Sequence, residues 1–176
     1  MRLRAWQQGR FRAAMIIIGA SLVLATVISG AAPADSTDHS GMQLRGESLV
    51  EVGPFGLDVY IARFFSDTGG VRSMELEYLR DVAKEFSIMG WEKGLASFES
   101  SVYQGAIEWI LAITPDLLKG DRLEMRVAGE ATSVFVNGRL IGASDNPQVA
   151  ELIHAPWIGD AALDSEVKKR LLGGTL

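Results

Sequence analysis

The chain of 176 residues contains no cysteine, two histidines and five prolines. Without thiols it has no disulfide framework, no thiolate zinc or iron–sulfur site and no cysteine nucleophile, so burial alone must hold its core. Two histidines leave little metal or acid–base chemistry. His154 has no second His or Cys close to it and no obvious Ser/Asp partner, which argues against a triad or a metal centre. With 19 Gly and so few prolines the chain is neither collagen-like nor of low complexity. What it does have, 48% hydrophobic and 22% charged residues, is the content of one globular domain.

Charge is unevenly placed. Arg2, Arg4, Arg10 and Arg12 lie in the first twelve residues, and no acid precedes Asp35. Residues 13–30 carry no charge, and Ala32-Pro33-Ala34 follows. A basic tip, an apolar middle and a small-x-small site are the parts of a secretory signal peptide, so residues 1–34 are expected to be one, cleaved after Ala34. The alternative is an uncleaved anchor, because about 17 apolar residues just suffice to cross a bilayer. On either reading the remainder is exported, periplasmic or secreted. Beyond residue 34 there are 13 Lys/Arg against 22 Asp/Glu, a net charge of −9. Such a surface repels phosphate backbones, so no nucleic-acid partner is expected. The one basic cluster, Lys168-Lys169-Arg170, fits the last turn of a helix, where cations suit the dipole. Residues 35–46 are polar and read as a flexible linker, leaving residues 47–174 as the domain.

Within that domain, residues 48–52 and 56–65 are rich in β-branched and aromatic side chains and flank Gly53-Pro54, a hairpin pattern. Residues 71–79 alternate, with Met74, Leu76 and Tyr78 against Glu75 and Glu77, so a third strand follows. The period then becomes helical. Val82, Phe86, Met89, Leu95 and Phe98 predict a helix over 82–98 capped by Asp81, and a second covers 101–113 before Pro115. Residues 122–127, 131–136 and 139–142 read as strands, the last two joined by an Asn137-Gly138 type I′ turn. Asn146-Pro147 opens a short helix to His154, and residues 164–172 form a last one ending at Gly173-Gly174. Strands first, then two helices, then strands and two helices again, give an α+β fold, a mainly antiparallel sheet with helices on one side.

Most conspicuous polar residues have plain structural readings. Arg80-Asp81 joins a strand to a helix; Trp91, Trp109 and Trp157 anchor helices on the sheet; Glu92 and Glu108 are not brought together as a glycosidase pair; the Gly-Gly pairs lack the Lys-Ser/Thr of a phosphate loop. In the second strand, Leu57, Val59 and Ile61 face one way and Tyr60, Ala62 and Phe64 the other, so both sides are apolar. One meets the helices, and the other needs cover from the chain, a partner or a ligand.

Several segments together carry a resemblance: Val59-Tyr60 with Phe64-Phe65, residues 76–81 (LEYLRD), residues 91–94 (WEKG), Asn137-Gly138-Arg139 with Gly142, residues 157–159 (WIG) and residues 171–173 (LLG). In order and spacing they resemble the bacterial exported branch of the chalcone isomerase-like family, over nearly all of residues 47–174. The resemblance implies an open-faced sandwich, a large mainly antiparallel sheet under a layer of helices. In the plant enzymes of that family an Arg early in the sheet holds the substrate phenolate, while a Thr before the Val-Tyr pair and a Tyr beyond the third strand polarise its carbonyl. This sequence departs from that pattern. Gly56 stands where the Thr is expected, Arg45 is the nearest upstream cation, and Tyr103 matches the catalytic Tyr without a fixing motif. Reaction through an oxyanion needs a fixed positive group, so no catalytic residue, cofactor or metal is assigned. Noncatalytic relatives hold a fatty acid; the resemblance therefore implies a small apolar or fatty-acid-like ligand, with Tyr60, Arg63 and Tyr103 as the residues to line its site. An interaction module of the cell envelope is a variant of that reading. The alternative is an intramolecular lyase or isomerase on an unknown substrate.

Overall fold

A computed structural model of the protein describes His39 and residues 41–98 and 100–174. The expected signal peptide lies outside these residues. Six strands form a single sheet in sequence order, every neighbouring pair antiparallel: β1 (Gln43–Val52), β2 (Leu57–Ser66), β3 (Arg72–Tyr78), β4 (Arg122–Ala128), β5 (Ala131–Val136) and β6 (Arg139–Ser144). The helices are α1 (Lys84–Leu95), running into a 3-10 turn (Ala96–Phe98), α2 (Gln104–Ile113), α3 (Pro147–Leu152), α4 (Ala155–Ile158) and α5 (Ser165–Leu171). Among the described residues no helix is long and apolar enough to cross a membrane. The architecture is the expected α+β open-faced sandwich.

Side-chain alternation decides which sheet face the helices cover. Cross-strand rows Tyr60–Tyr78, Ala62–Leu76–Leu123–Val136 and Phe64–Met74–Met125–Val134 share one face. On it Ala62, Met74 and Met125 are completely buried, and Leu95, Ile110, Val149, Leu152 and Leu171 of the helices complete the core. Burying a large aliphatic side chain contributes about 1.5–3 kcal/mol, so this layer is the main source of stability. The opposite face presents Glu47, Arg63, Phe65, Ser73, Glu75, Glu77, Glu124 and Arg126, and is therefore ionic rather than apolar.

Element boundaries differ from expectation where tertiary contacts override local pattern. β1 begins at Gln43, four residues before the expected domain start, because Gln43 and Leu44 pair with Ser66 and Phe65. α1 begins at Lys84, and Asp81 does not cap it. Val82 and Leu117 instead form a bridge, Asp116 Oδ1 accepts the Lys84 N–H at 2.8 Å, and Asp81 Oδ1 accepts that of Lys119 at 2.7 Å. Phe86 and Met89, expected inside, are 68% and 61% exposed, and the helix buries Trp91, Gly94 and Leu95. α2 starts at Gln104, leaving Val102 exposed. The segment expected to run as one helix to His154 is split, with α3 and α4 meeting at His154. The Asn137-Gly138 turn has φ of 51° and 74°, as a type I′ turn requires. Asn146 and Asp164 cap α3 and α5 through their side chains.

Two close approaches depend on glycine. A Cβ on Gly46 would lie 1.9 Å from the Arg170 carbonyl oxygen, so its absence lets the end of α5 settle on β1. A Cβ on Gly94 would lie 2.6 Å from Pro156 Cβ, so the backbone of α1 packs directly on the Pro156 ring of α4.

Candidate ligand-binding site

Tyr60 points from β2 into the helix-covered side and is half-buried there among aromatic rings. Trp157 of α4 donates its indole N–H to the Tyr60 hydroxyl at 2.9 Å. The Tyr78 ring lies 5.4 Å from that of Tyr60, and Trp91 of α1 meets Trp157 edge to face at 5.3 Å. Burial pushes the Tyr60 phenol up to about 12, the indole N–H pulling slightly the other way. Tyr78 is raised further, chiefly by burial and then by Tyr60 itself. The buried Ser87 hydroxyl of α1 interacts with the Tyr78 phenol and pulls slightly against that rise. The cluster therefore offers neutral hydroxyls in an apolar box. It can hydrogen-bond an uncharged oxygen, but it brings no cation.

Arg63 lies three residues further along β2 and so projects from the opposite face. There its Nε donates to Glu47, and its Nη1 to Glu75 at 3.1 Å and to Glu77 at 2.7 Å. Burial alone would lower its pKa, but the three carboxylates outweigh that and hold it above its ordinary value. A second cluster adjoins it, in which Ser73 donates to Glu124 Oε1 at 2.8 Å and Arg126 donates to the same oxygen at 2.9–3.0 Å. Glu75 and Glu124 sit opposite each other on β3 and β4, only 6% and 3% exposed. Like charges side by side repel, and the two arginines compensate that repulsion. His39 stacks on Phe65 at 3.9 Å on this same face.

Tyr103 occupies a third place, at the N-cap of α2. Its hydroxyl donates to Glu151 of α3 at 2.9 Å, and its ring meets Phe98 edge to face at 5.3 Å. The Glu151 carboxylate raises its pKa. Beside it Ser100, Ser101, Gln104, Ile107 and Glu108 line an open depression of about 370 Å³. The structure thus does not bring Tyr60, Arg63 and Tyr103 together. Arg45, the nearest upstream cation, is exposed on β1.

A different polar group lies on the helix-covered side. Arg72 opens β3, Thr132 is on β5 and His154 lies between α3 and α4. Arg72 Nη2 donates to the Ala150 carbonyl at 2.9 Å, and His154 Nε2 lies 2.8 Å from the Met125 carbonyl. Arg72 Nε, Thr132 Oγ1 and His154 Nδ1 are buried and meet no hydrogen-bond partner among the described residues. A buried polar atom in that state costs about 1–3 kcal/mol. Burial lowers the His154 pKa to about 4, the Met125 carbonyl acting against the shift and the Arg72 charge adding to it. Sequence reading passed over this group, although Arg72 shares the parity of Met74, Leu76 and Tyr78 and so stood as a cation on an apolar face.

No protein-family profile matches this sequence, and no curated protein does. Among solved structures, a fatty-acid binding protein of Arabidopsis thaliana matches with a TM-score of 0.62 over 80% of this chain and 90% of its own, at 14% identity. The chain has the chalcone isomerase-like fold. At that identity the likeness is one of architecture, and it agrees with the six-stranded antiparallel sheet and its helix layer.

Proposed function

We propose that this protein is an exported, noncatalytic chalcone isomerase-like protein that binds a small apolar or fatty-acid-like ligand between its sheet and its helices. The observation that carries the reading is the dispersal of the groups that cyclisation would need. Tyr60 and Tyr78 are neutral and lie under α1 and α4, Arg63 is bound to three glutamates on the other face, and Tyr103 is bound to Glu151. Arg72 does share the helix-covered side, but six residues of β3 separate it from Tyr78, about 20 Å at the rise of a strand. A cation that remote cannot steady an oxyanion formed beside the phenols. The matching fold of a fatty-acid binding protein supports the ligand class. The basic, then apolar, amino terminus supports export. Native mass spectrometry of the protein purified without its first 34 residues tests the reading. A bound species of lipid mass, released on denaturation, is expected, together with no turnover of a chalcone. A bare polypeptide mass after incubation with fatty acids, or measurable chalcone cyclisation, contradicts it.

A further inference from the structure

The cross-strand row Arg72–Val127–Thr132 spans β3, β4 and β5 beneath α3. Ala150 of α3 takes one Arg72 donor, and His154 reaches down to Met125, two residues from Val127. Three unpartnered atoms therefore border this end of the covered face, and the hydrogen-bonding sense of each follows from chemistry. Arg72 Nε–H is a permanent donor on a permanent cation. His154 Nε2 faces a carbonyl oxygen, so it carries the proton, and Nδ1 of the neutral ring is left as a bare acceptor. The Thr132 hydroxyl serves either role. Thr132 and His154 are 1% and 3% exposed, whereas Arg72 is only half-buried and opens the group to the surface.

We propose that Arg72, Thr132 and His154 form a seat for the head of a hydroxy acid. The ligand carboxylate accepts from Arg72 Nε and Thr132, and its hydroxyl donates to His154 Nδ1. A carboxylate alone leaves the histidine acceptor unmet, and an alcohol alone leaves the guanidinium charge uncompensated. The apolar chain of such a ligand would run from the seat towards Tyr60 along Met74 and Met125, both fully buried. Thioether side chains of this kind repack around a guest more readily than branched ones do. This inference rests on the ligand-binding reading above and specifies where the polar end lies.

Calorimetric titration of the protein with 3-hydroxydecanoate, decanoate and decanol separates the two. Each satisfied polar group is expected to improve affinity about tenfold, in the order 3-hydroxydecanoate, decanoate, decanol. Arg72→Gln, which keeps a donor for Ala150, and Thr132→Val, which keeps the volume, should each weaken both acids while leaving decanol unchanged. Equal affinity for decanol and the acids, an acid preference that survives both substitutions, or equal affinity for the two acids overturns the seat. Failure of all three probes to bind overturns the ligand-binding reading itself.

Discussion

At the scale of single residues, the most consequential side chain is one the sequence offered only as a lone histidine. His154 is buried, meets Phe64 edge to face at 6.0 Å and has its pKa lowered to about 4. In the unfolded chain the same imidazole titrates near pH 6.5. Between those values the unfolded state binds the extra proton and the folded state does not, so stability rises with pH. The full contribution is present above about pH 6.5 and is lost as the pH falls towards 4, on the order of 3 kcal/mol in all. His154→Gln, which keeps a donor for the Met125 carbonyl, removes this dependence. Urea midpoints of the wild type should fall more steeply than those of the variant between pH 7 and pH 4.5, and parallel profiles contradict the assignment. Tyr60 acts at the other extreme. Its phenol is neutral in the folded state, so its contribution is complete below about pH 10 and is lost as the pH rises towards 12.

At the scale of elements, strands were more legible than helices. β3 and β4 announce themselves by alternation and β2 by its β-branched and aromatic run, and the Asn137-Gly138 turn has a short sequence that both of its positive φ angles favour. The start of α1 was illegible because Asp81, a good cap by type, is drawn to Lys119 by the bridge between Val82 and Leu117. The inner face of α1 was misread for a related reason. Its contact with α4 is made by Gly94 and Trp91, while Phe86 and Met89 face outwards, so its apolar residues do not mark its buried side. This yields a paired prediction. At Gly90, on α1 with nothing within 4 Å of an added Cβ, alanine should stabilise the protein by about 0.5–1 kcal/mol through helix propensity. Gly94→Ala, four residues on, drives a Cβ into Pro156 and should destabilise by about 1–3 kcal/mol. Denaturant midpoints at constant slope decide the matter, and two changes of the same sign contradict the packing described for α1 and α4.

At the scale of the whole molecule, the sheet separates two chemistries. One face is an apolar layer with phenols near one end and Arg72, Thr132 and His154 near the other. The opposite face is a lattice of arginines and glutamates centred on Arg63, Glu75 and Glu124. Alternation made both faces of β2 readable, but not which neighbours would meet them. Glu75 and Glu124 are far apart in sequence, and only the β3–β4 register puts them side by side. Tyr60 and Arg63, by contrast, were legible as separate, because an odd spacing on one strand puts them on opposite faces. Binding of this kind requires a ligand to enter the covered layer. Methyl-resolved NMR of methionine-labelled protein titrated with decanoate tests this most directly, because Met74 and Met125 line that layer while Met42 precedes β1. Saturable shifts at Met74 and Met125 with Met42 unmoved are the predicted result; a shift confined to Met42, or no shifts at all, contradicts it.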